Sequence, residues 1–146
     1  MIEIISRAVI ITGTQILCVH RKGKDNIFLP GGHIENGETA PQALKREIKE
    51  ELGLEADTGG FLGVIEHAYG TGEDTVREIN LVFTVENSSL KSEKRLPSSE
   101  HHLEFMWVAC TEKDLKVRNL QPWVLQTYIP AYAESGTFPQ YLSTVR

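Results

Sequence analysis

The chain has 146 residues, 40% of them hydrophobic and 24% charged, with a formal charge of −5 at neutral pH. That length suits one domain, expected to run over 1–146, and no apolar run approaches the ~20 residues that span a bilayer. The acidic balance, without a dense Lys/Arg patch, argues against long nucleic acid as a partner, but not against a small phosphate substrate whose charge a metal ion can offset.

Residues 2–12 read as β, with Ile2, Ile4, Ile5, Val9, Ile10 and Ile11. Glu3 and Arg7 interrupt the apolar run, unlike a secretory leader. Thr12-Gly13-Thr14 then offers a turn into a second strand opened by Ile16, Leu17, Cys18 and Val19, and the two look like a hairpin. Cys18 and Cys110 lie in strand-like apolar segments and read as buried, reduced thiols, so a cytoplasmic setting is expected. A Gly- and Pro-rich loop occupies 28–38. From Thr39 the period becomes helical: Thr39 is placed to N-cap, Pro41 falls in the first turn and Gly53 is positioned as a C-cap.

Two further strands are expected at Phe61–Tyr69 and Glu78–Glu86, the second from the alternation of Ile79, Leu81, Phe83 and Val85. Asn87–Ser99 reads as an exposed polar loop and Phe105–Cys110 as a last strand. A short helix starts at Thr111 or Glu112. Leu120, Trp123, Val124 and Tyr128 recur at helical spacing, predicting a C-terminal helix over about 120–133 that Pro130 should end or kink. Trp123 and Tyr128 would serve a homodimer contact as readily as a core. The tail from Glu134 carries no signal. Strands interleaved with two or three helices indicate an α/β or α+β sandwich.

Chemistry concentrates in residues 32–54. At about 100° per residue, Glu47, Glu50 and Glu51 share one helix face, Leu44, Ile48 and Leu52 a neighbouring apolar stripe, and Lys45 and Lys49 the far side. A solvated surface helix would pair opposite charges, as Arg46 and Glu50 do at i, i+4. Glu47 instead meets like charges at i+3 and i+4, each costing roughly 0.2–0.5 kcal/mol unless neutralised. A divalent cation would neutralise them. The preceding Leu29-Pro30-Gly31-Gly32 can turn a carbonyl inward, Asn36-Gly37 marks a turn, and Glu38 stands where it could join the cluster. Hard oxygen donors with no Cys or His pattern favour Mg²⁺, or Mn²⁺, over Zn²⁺.

This stretch resembles the Nudix box of the MutT-like pyrophosphohydrolases. That box is Gly, five residues, Glu, seven residues, Arg-Glu, an aliphatic, one residue, Glu-Glu, one residue, Gly and an aliphatic. Gly32, Glu38, Arg46, Glu47, Ile48, Glu50, Glu51, Gly53 and Leu54 match every specified position. The resemblance implies a Nudix-type α/β/α sandwich with a mixed sheet and a loop-helix-loop catalytic motif. It implies a hydrolase acting on phosphorus-containing acid anhydrides, cleaving nucleoside diphosphates linked to another moiety. Carried across, it makes Glu47, Glu50 and Glu51 metal ligands, with the Gly32 carbonyl as a further one. Arg46 would orient a catalytic glutamate, and Glu38 would act behind the ligands.

Many family members use one more carboxylate downstream. Glu104, just before the strand at Phe105, is the expected metal-binding and catalytic match, because a strand should preorganise it. Glu100 is the alternative, and His101 or His102 could also serve; an exposed polar loop end is the bland reading of all of them. Arg21, Phe28, Tyr69 and Arg77, with His67, are the residues offered for the substrate pocket, though each also reads as strand surface. Nucleotide sugars, nucleoside triphosphates and dinucleoside polyphosphates all fit. A nucleotide-binding regulatory module of the same fold, without catalysis, is the competing reading, and the intact box speaks against it.

Overall fold

The apolar N-terminal run divides between two sheets at Ile10. In the computed structural model, which describes residues 1–87, 89–91 and 96–146, β1 is Ile2–Val9 and β2 is Ile11–Thr12. The turn at Gly13 joins β2 to β3 (Gln15–Arg21), so the expected hairpin involves β2 alone. Short strands β4 (Ile27–Phe28) and β5 (Gly31–His33) lead to helix α1 (Ala40–Leu52). The order then runs β6 (Asp57–Tyr69), β7 (Val76–Glu86), β8 (Leu103–Ala109), α2 (Glu112–Val117), β9 (Leu120–Gln121), α3 (Leu125–Ser135) and β10 (Tyr141–Ser143).

One sheet has the order β10-β6-β7-β1-β5, with β1 parallel to β7 and β10 parallel to β6. The other runs β2-β3-β4-β9, with β8 antiparallel to β3 and β9 parallel to β4. The result is an α+β fold of two mixed sheets and, among the described residues, three α-helices. Strand alternation splits the core in two. Ala8, Leu17 and Phe83 face Leu44, Ile48 and Leu52 of α1, whereas Val9, Cys18 and Val82 join Leu115, Leu125 and Ile129 of α2 and α3. Burial of a side chain such as Leu44 or Ile48 contributes about 1.5–3 kcal/mol.

Helix α1 is closed at both ends by the residues expected to do so. Thr39 Oγ1 accepts from the Gln42 N–H while Gln42 Oε1 accepts from the Thr39 N–H, a reciprocal capping box. At the other end Gly53 adopts φ 69° and its N–H donates to the Lys49 carbonyl, a left-handed conformation that a Cβ would disfavour. Its last turn also anchors the chain before β8, for the Ser99 N–H donates to the Glu51 carbonyl at 2.7 Å.

The C-terminal third departs from expectation. Leu120 lies in β9, buried against β4, and α3 starts only at Leu125. Pro130 lies inside α3, which continues to Ser135 and stops at Gly136 with φ 73°. The packed side chains of Leu125 and Ile129 outweigh the single lost backbone donor. Tyr128 packs on the core, while Trp123 stays exposed beneath Arg146, 5.8 Å from its ring. The signal-free tail supplies β10, and β8 is not the last strand. The polar loop 87–99 is not wholly exposed, because Leu90 is buried against the α1 core; its residues 88 and 92–95 lie outside the described ones.

Both cysteines are free, and burial pushes the Cys18 thiol up to about 12 and that of Cys110 to about 11. Among the described residues, no helix is long and apolar enough to cross a membrane. Removing the Thr39 cap should cost about 1 kcal/mol. Urea unfolding of Thr39→Ala against wild type checks this, and an unchanged midpoint would show that the cap carries no stability.

Candidate active site

Arg46 is the hub of the acidic face. Its Nε and Nη2 donate to Glu38 Oε2 and Oε1 at 2.8 and 2.9 Å, and Nη2 also reaches the His33 carbonyl at 3.1 Å. Nη1 donates to Glu47 Oε1 at 3.0 Å and to Glu50 Oε2 at 3.4 Å. The fork thus ties the loop 31–38 to α1 through charge-assisted bonds. The Arg46 bonds, followed by the Glu35 N–H, hold the Glu38 carboxyl down to about 2.

Gly32 is where the loop meets the helix. A Cβ there would come within 2.5 Å of Glu47 Oε1, so a side chain at 32 would displace the Glu47 carboxylate from its present position. Next to it, Glu51 is 6% exposed, and its Oε2 is buried with no hydrogen-bond partner among the described residues. Burial pushes its pKa well above the usual carboxylate range, and the charges of Glu47 and Glu100 and a hydrogen bond with Glu47 push the same way; Arg7 opposes them. Burial and the neighbouring carboxylates favour a proton on Glu51 when no cation is present, and a divalent ion can take that proton's place.

The three box glutamates do not all converge. Among the described residues, no three His, Cys, Asp or Glu side chains are arranged to hold an ion as they stand. Glu50 is drawn outward to Arg46, leaving Glu47 and Glu51 as the inward pair. These two fit a hard divalent ion: an orphaned buried oxygen, a glycine cradle and an all-oxygen donor set.

The downstream carboxylate is placed otherwise than expected. Leu103 lines the cleft beside Arg21, its partner across β3 and β8, so the next residue, Glu104, turns to the other face. There Glu104 lies 3.8 Å from His20 Nδ1 and is 55% exposed. Glu100 acts on Glu51 instead. Its loop is fastened by the Ser99–Glu51 backbone bond, by Ser98 Oγ accepting from the Glu100 N–H at 3.0 Å, and by His102 Nε2, 3.3 Å from Glu100 Oε2. His101 remains exposed beside His102.

Glu51 and Gly32 open into a cleft of about 640 Å³ between the two sheets. Arg21, Phe28, His67 and Tyr69 line it as expected; Arg77 does not, because strand alternation turns its neighbour Glu78 inward instead. Arg7 was not foreseen. Its Nε donates to Asn80 Oδ1 at 3.2 Å and Nη1 to the Leu29 carbonyl at 3.0 Å, and its guanidinium lies 5.3 Å from the centre of the Phe28 ring. The signal for it was polar residues of one parity inside apolar strands: Glu3 and Arg7 on β1, Glu78 and Asn80 on β7.

Two mixed sheets flanked by helices, with a loop-helix-loop motif lining a cleft, define a Nudix fold. The chain belongs to the NUDIX domain family, whose sequence pattern matches residues 4–128. It is 47% identical over 53 residues to an ADP-ribose pyrophosphatase of Methanocaldococcus jannaschii, a match covering 34% of this chain and 31% of that protein. A UDP-X diphosphatase structure is similar at TM-score 0.66 and 21% identity, over 97% of this chain and 67% of that one. A MutT protein from Methanosarcina mazei Go1 is similar at 0.68 and 22%, over 92% and 95%. These likenesses to solved structures show the fold. The chain spans less than half the length of the curated relatives it matches.

The raised Glu51 pKa has a consequence for stability without metal. A carboxyl whose folded value exceeds its unfolded value contributes stability that is fully present below the ordinary carboxylate pKa and lost as pH rises through the folded value. Metal-free Glu51→Gln, which cannot ionise, should therefore be more stable than wild type at pH 8.5 and close to it at pH 4. Thermal melts in EDTA check this; a wild type more stable than the variant at pH 8.5 would contradict it.

Proposed function

We propose that this chain hydrolyses the pyrophosphate bond of a nucleoside diphosphate linked to another moiety, with Mg²⁺, or Mn²⁺, as its cofactor. The observation that carries the reading is Glu51, a buried carboxylate with an unpartnered oxygen that opens into the cleft beside Glu47. Glu47 and Glu51 would hold the ion, with the Gly32 carbonyl as a further donor and Glu50 as another once it turns from Arg46. When bound, such an ion offsets phosphate charge and makes a water ionisable near neutral pH.

The chain's own groups supply the rest. Arg46 keeps Glu47 against Gly32 and so fixes the inward carboxylates. Glu100, rather than Glu104, is the downstream carboxylate, held by Ser98, Ser99 and His102 where it could take a proton from the attacking water. Arg7 and Arg21 give the cleft positive charge for phosphate oxygens, and Phe28 offers a flat face for a base.

The names of similar proteins, ADP-ribose pyrophosphatase and UDP-X diphosphatase among them, support a small nucleotide as substrate. A panel of nucleoside triphosphates, nucleotide sugars and dinucleoside polyphosphates should yield a nucleoside monophosphate or phosphate product with Mg²⁺ and none in EDTA, read by mass spectrometry. Binding without turnover anywhere in the panel would favour the non-catalytic module.

With the best substrate, Glu51→Gln and Glu100→Gln should each lower the rate on the order of 10²–10⁴-fold. Glu104→Gln should have little effect, as should Lys49→Gln, whose side chain pairs with Glu55 at 2.8 Å. A larger loss at Glu104 than at Glu100 would return the role to the strand residue.

A further inference from the structure

The wall that β1, β6 and β7 present to the cleft has an unusual charge. Glu3 stands beside Glu78 on parallel strands, and Glu78 beside His67 on the antiparallel neighbour. All three line the cleft, as does Tyr69, whose ring lies 5.8 Å from that of His67. Carboxylates in adjacent register repel each other, yet the surroundings hold these two in place. Asn80, 1% exposed, donates Nδ2 to Glu78 Oε1 at 3.3 Å, and His33 Nε2 lies 3.2 Å from Glu3 Oε2. Arg7, the cation on this wall, has its Nε on the Asn80 amide and Nη1 on the Leu29 carbonyl.

The other cations lining the cleft, Arg21 and Lys24, belong to β3 and the turn after it, on the side of the second sheet. They share that side with Phe28 and with the amides of Asn26 and Gln121. Amides and a ring suit the edges and face of a base; cations suit phosphate oxygens. Glu3 and Glu78 suit hydrogen-bond donors and oppose further negative charge. Independently, the unpartnered buried oxygen of Glu51 marks the same cleft as built around a ligand.

Resting on the hydrolase reading above, we propose that Glu3 and Glu78 accept hydrogen bonds from a polyol attached to the distal phosphate. The preferred substrate is then a nucleoside diphosphate carrying a sugar-like group. The nucleoside triphosphate is disfavoured, because its third phosphate would meet two carboxylates with no hydroxyl to offer them.

The test compares binding by calorimetry, with Mg²⁺, of two α,β-methylene analogues that cannot be cleaved at that bridge. One is a nucleoside diphosphate sugar and the other the matching triphosphate, each in adenosine, guanosine and uridine series. In the best-bound series the sugar compound should bind wild type at least ~10-fold more tightly. In Glu3→Gln and Glu78→Gln, both isosteric, that preference should fall toward parity while triphosphate affinity holds or improves. Tighter triphosphate binding by wild type overturns the proposal, as does no binding of either analogue. An equal loss of both analogues in the variants, with weaker Mn²⁺ binding, assigns the carboxylates to the metal and also overturns it. Failure of the hydrolase reading shows separately, as no turnover of the parent compounds despite selective binding.

Discussion

A buried carboxylate beside another carboxylate is costly, and the site is organised around that cost. Glu51 is excluded from water and feels the charges of Glu47 and Glu100. Arg7 opposes that cost only in part. Relief comes from a proton at the expense of charge, or from a cation at the expense of the proton. The Arg46 fork makes the arrangement durable, for it binds Glu38 with two parallel bonds and reaches Glu47 with another nitrogen. Gly32 completes it by leaving space for the Glu47 carboxylate.

Around that centre, the parity of the strands decides what the cleft presents. On β1, Glu3 and Arg7 face inward and Ser6 outward, where its hydroxyl donates to the Ala40 carbonyl at the start of α1. On β7 the inward set includes Glu78 and Asn80; on β8 it includes Leu103. A shift of one residue in any of these strands would exchange cleft chemistry for surface. The two sheets thereby give the cleft unlike sides, one with Arg21, Lys24, amides and a ring, the other with two carboxylates, imidazole and an Arg7 already bonded to Asn80 and Leu29.

Helix α1 was legible in the sequence because its information is local. Capping at Thr39, the glycine stop at Gly53, the sorting of charge around α1 and the spacing from Gly32 to Leu54 all lie within one stretch of chain. The placement of Glu100 was harder to read, because it depends on a long-range backbone bond from Ser99 to Glu51, while Ser98 and His102 read in sequence as an ordinary polar loop. Arg77 and the cleft-lining Glu78 differ by one residue of parity, and a charge in an N-terminal strand, such as Arg7, reads as surface until the opposing sheet is known. The helix expected from Leu120 began later because Leu120 pairs with β4, a long-range contact that helical spacing cannot reveal.

The central claim is that Glu51 and Glu47 exist to hold a divalent ion, and the most direct measurement is Mn²⁺ binding near neutral pH, followed by electron paramagnetic resonance. Wild type should bind Mn²⁺ with release of a proton, since burial favours a proton on Glu51 that the ion displaces. Glu51→Gln should bind at least ~10-fold more weakly, on the scale by which altered ligand shells weaken metal sites, and without proton release. Equal Mn²⁺ affinity in wild type and Glu51→Gln would contradict the claim and leave the buried carboxylate without a metal to explain it.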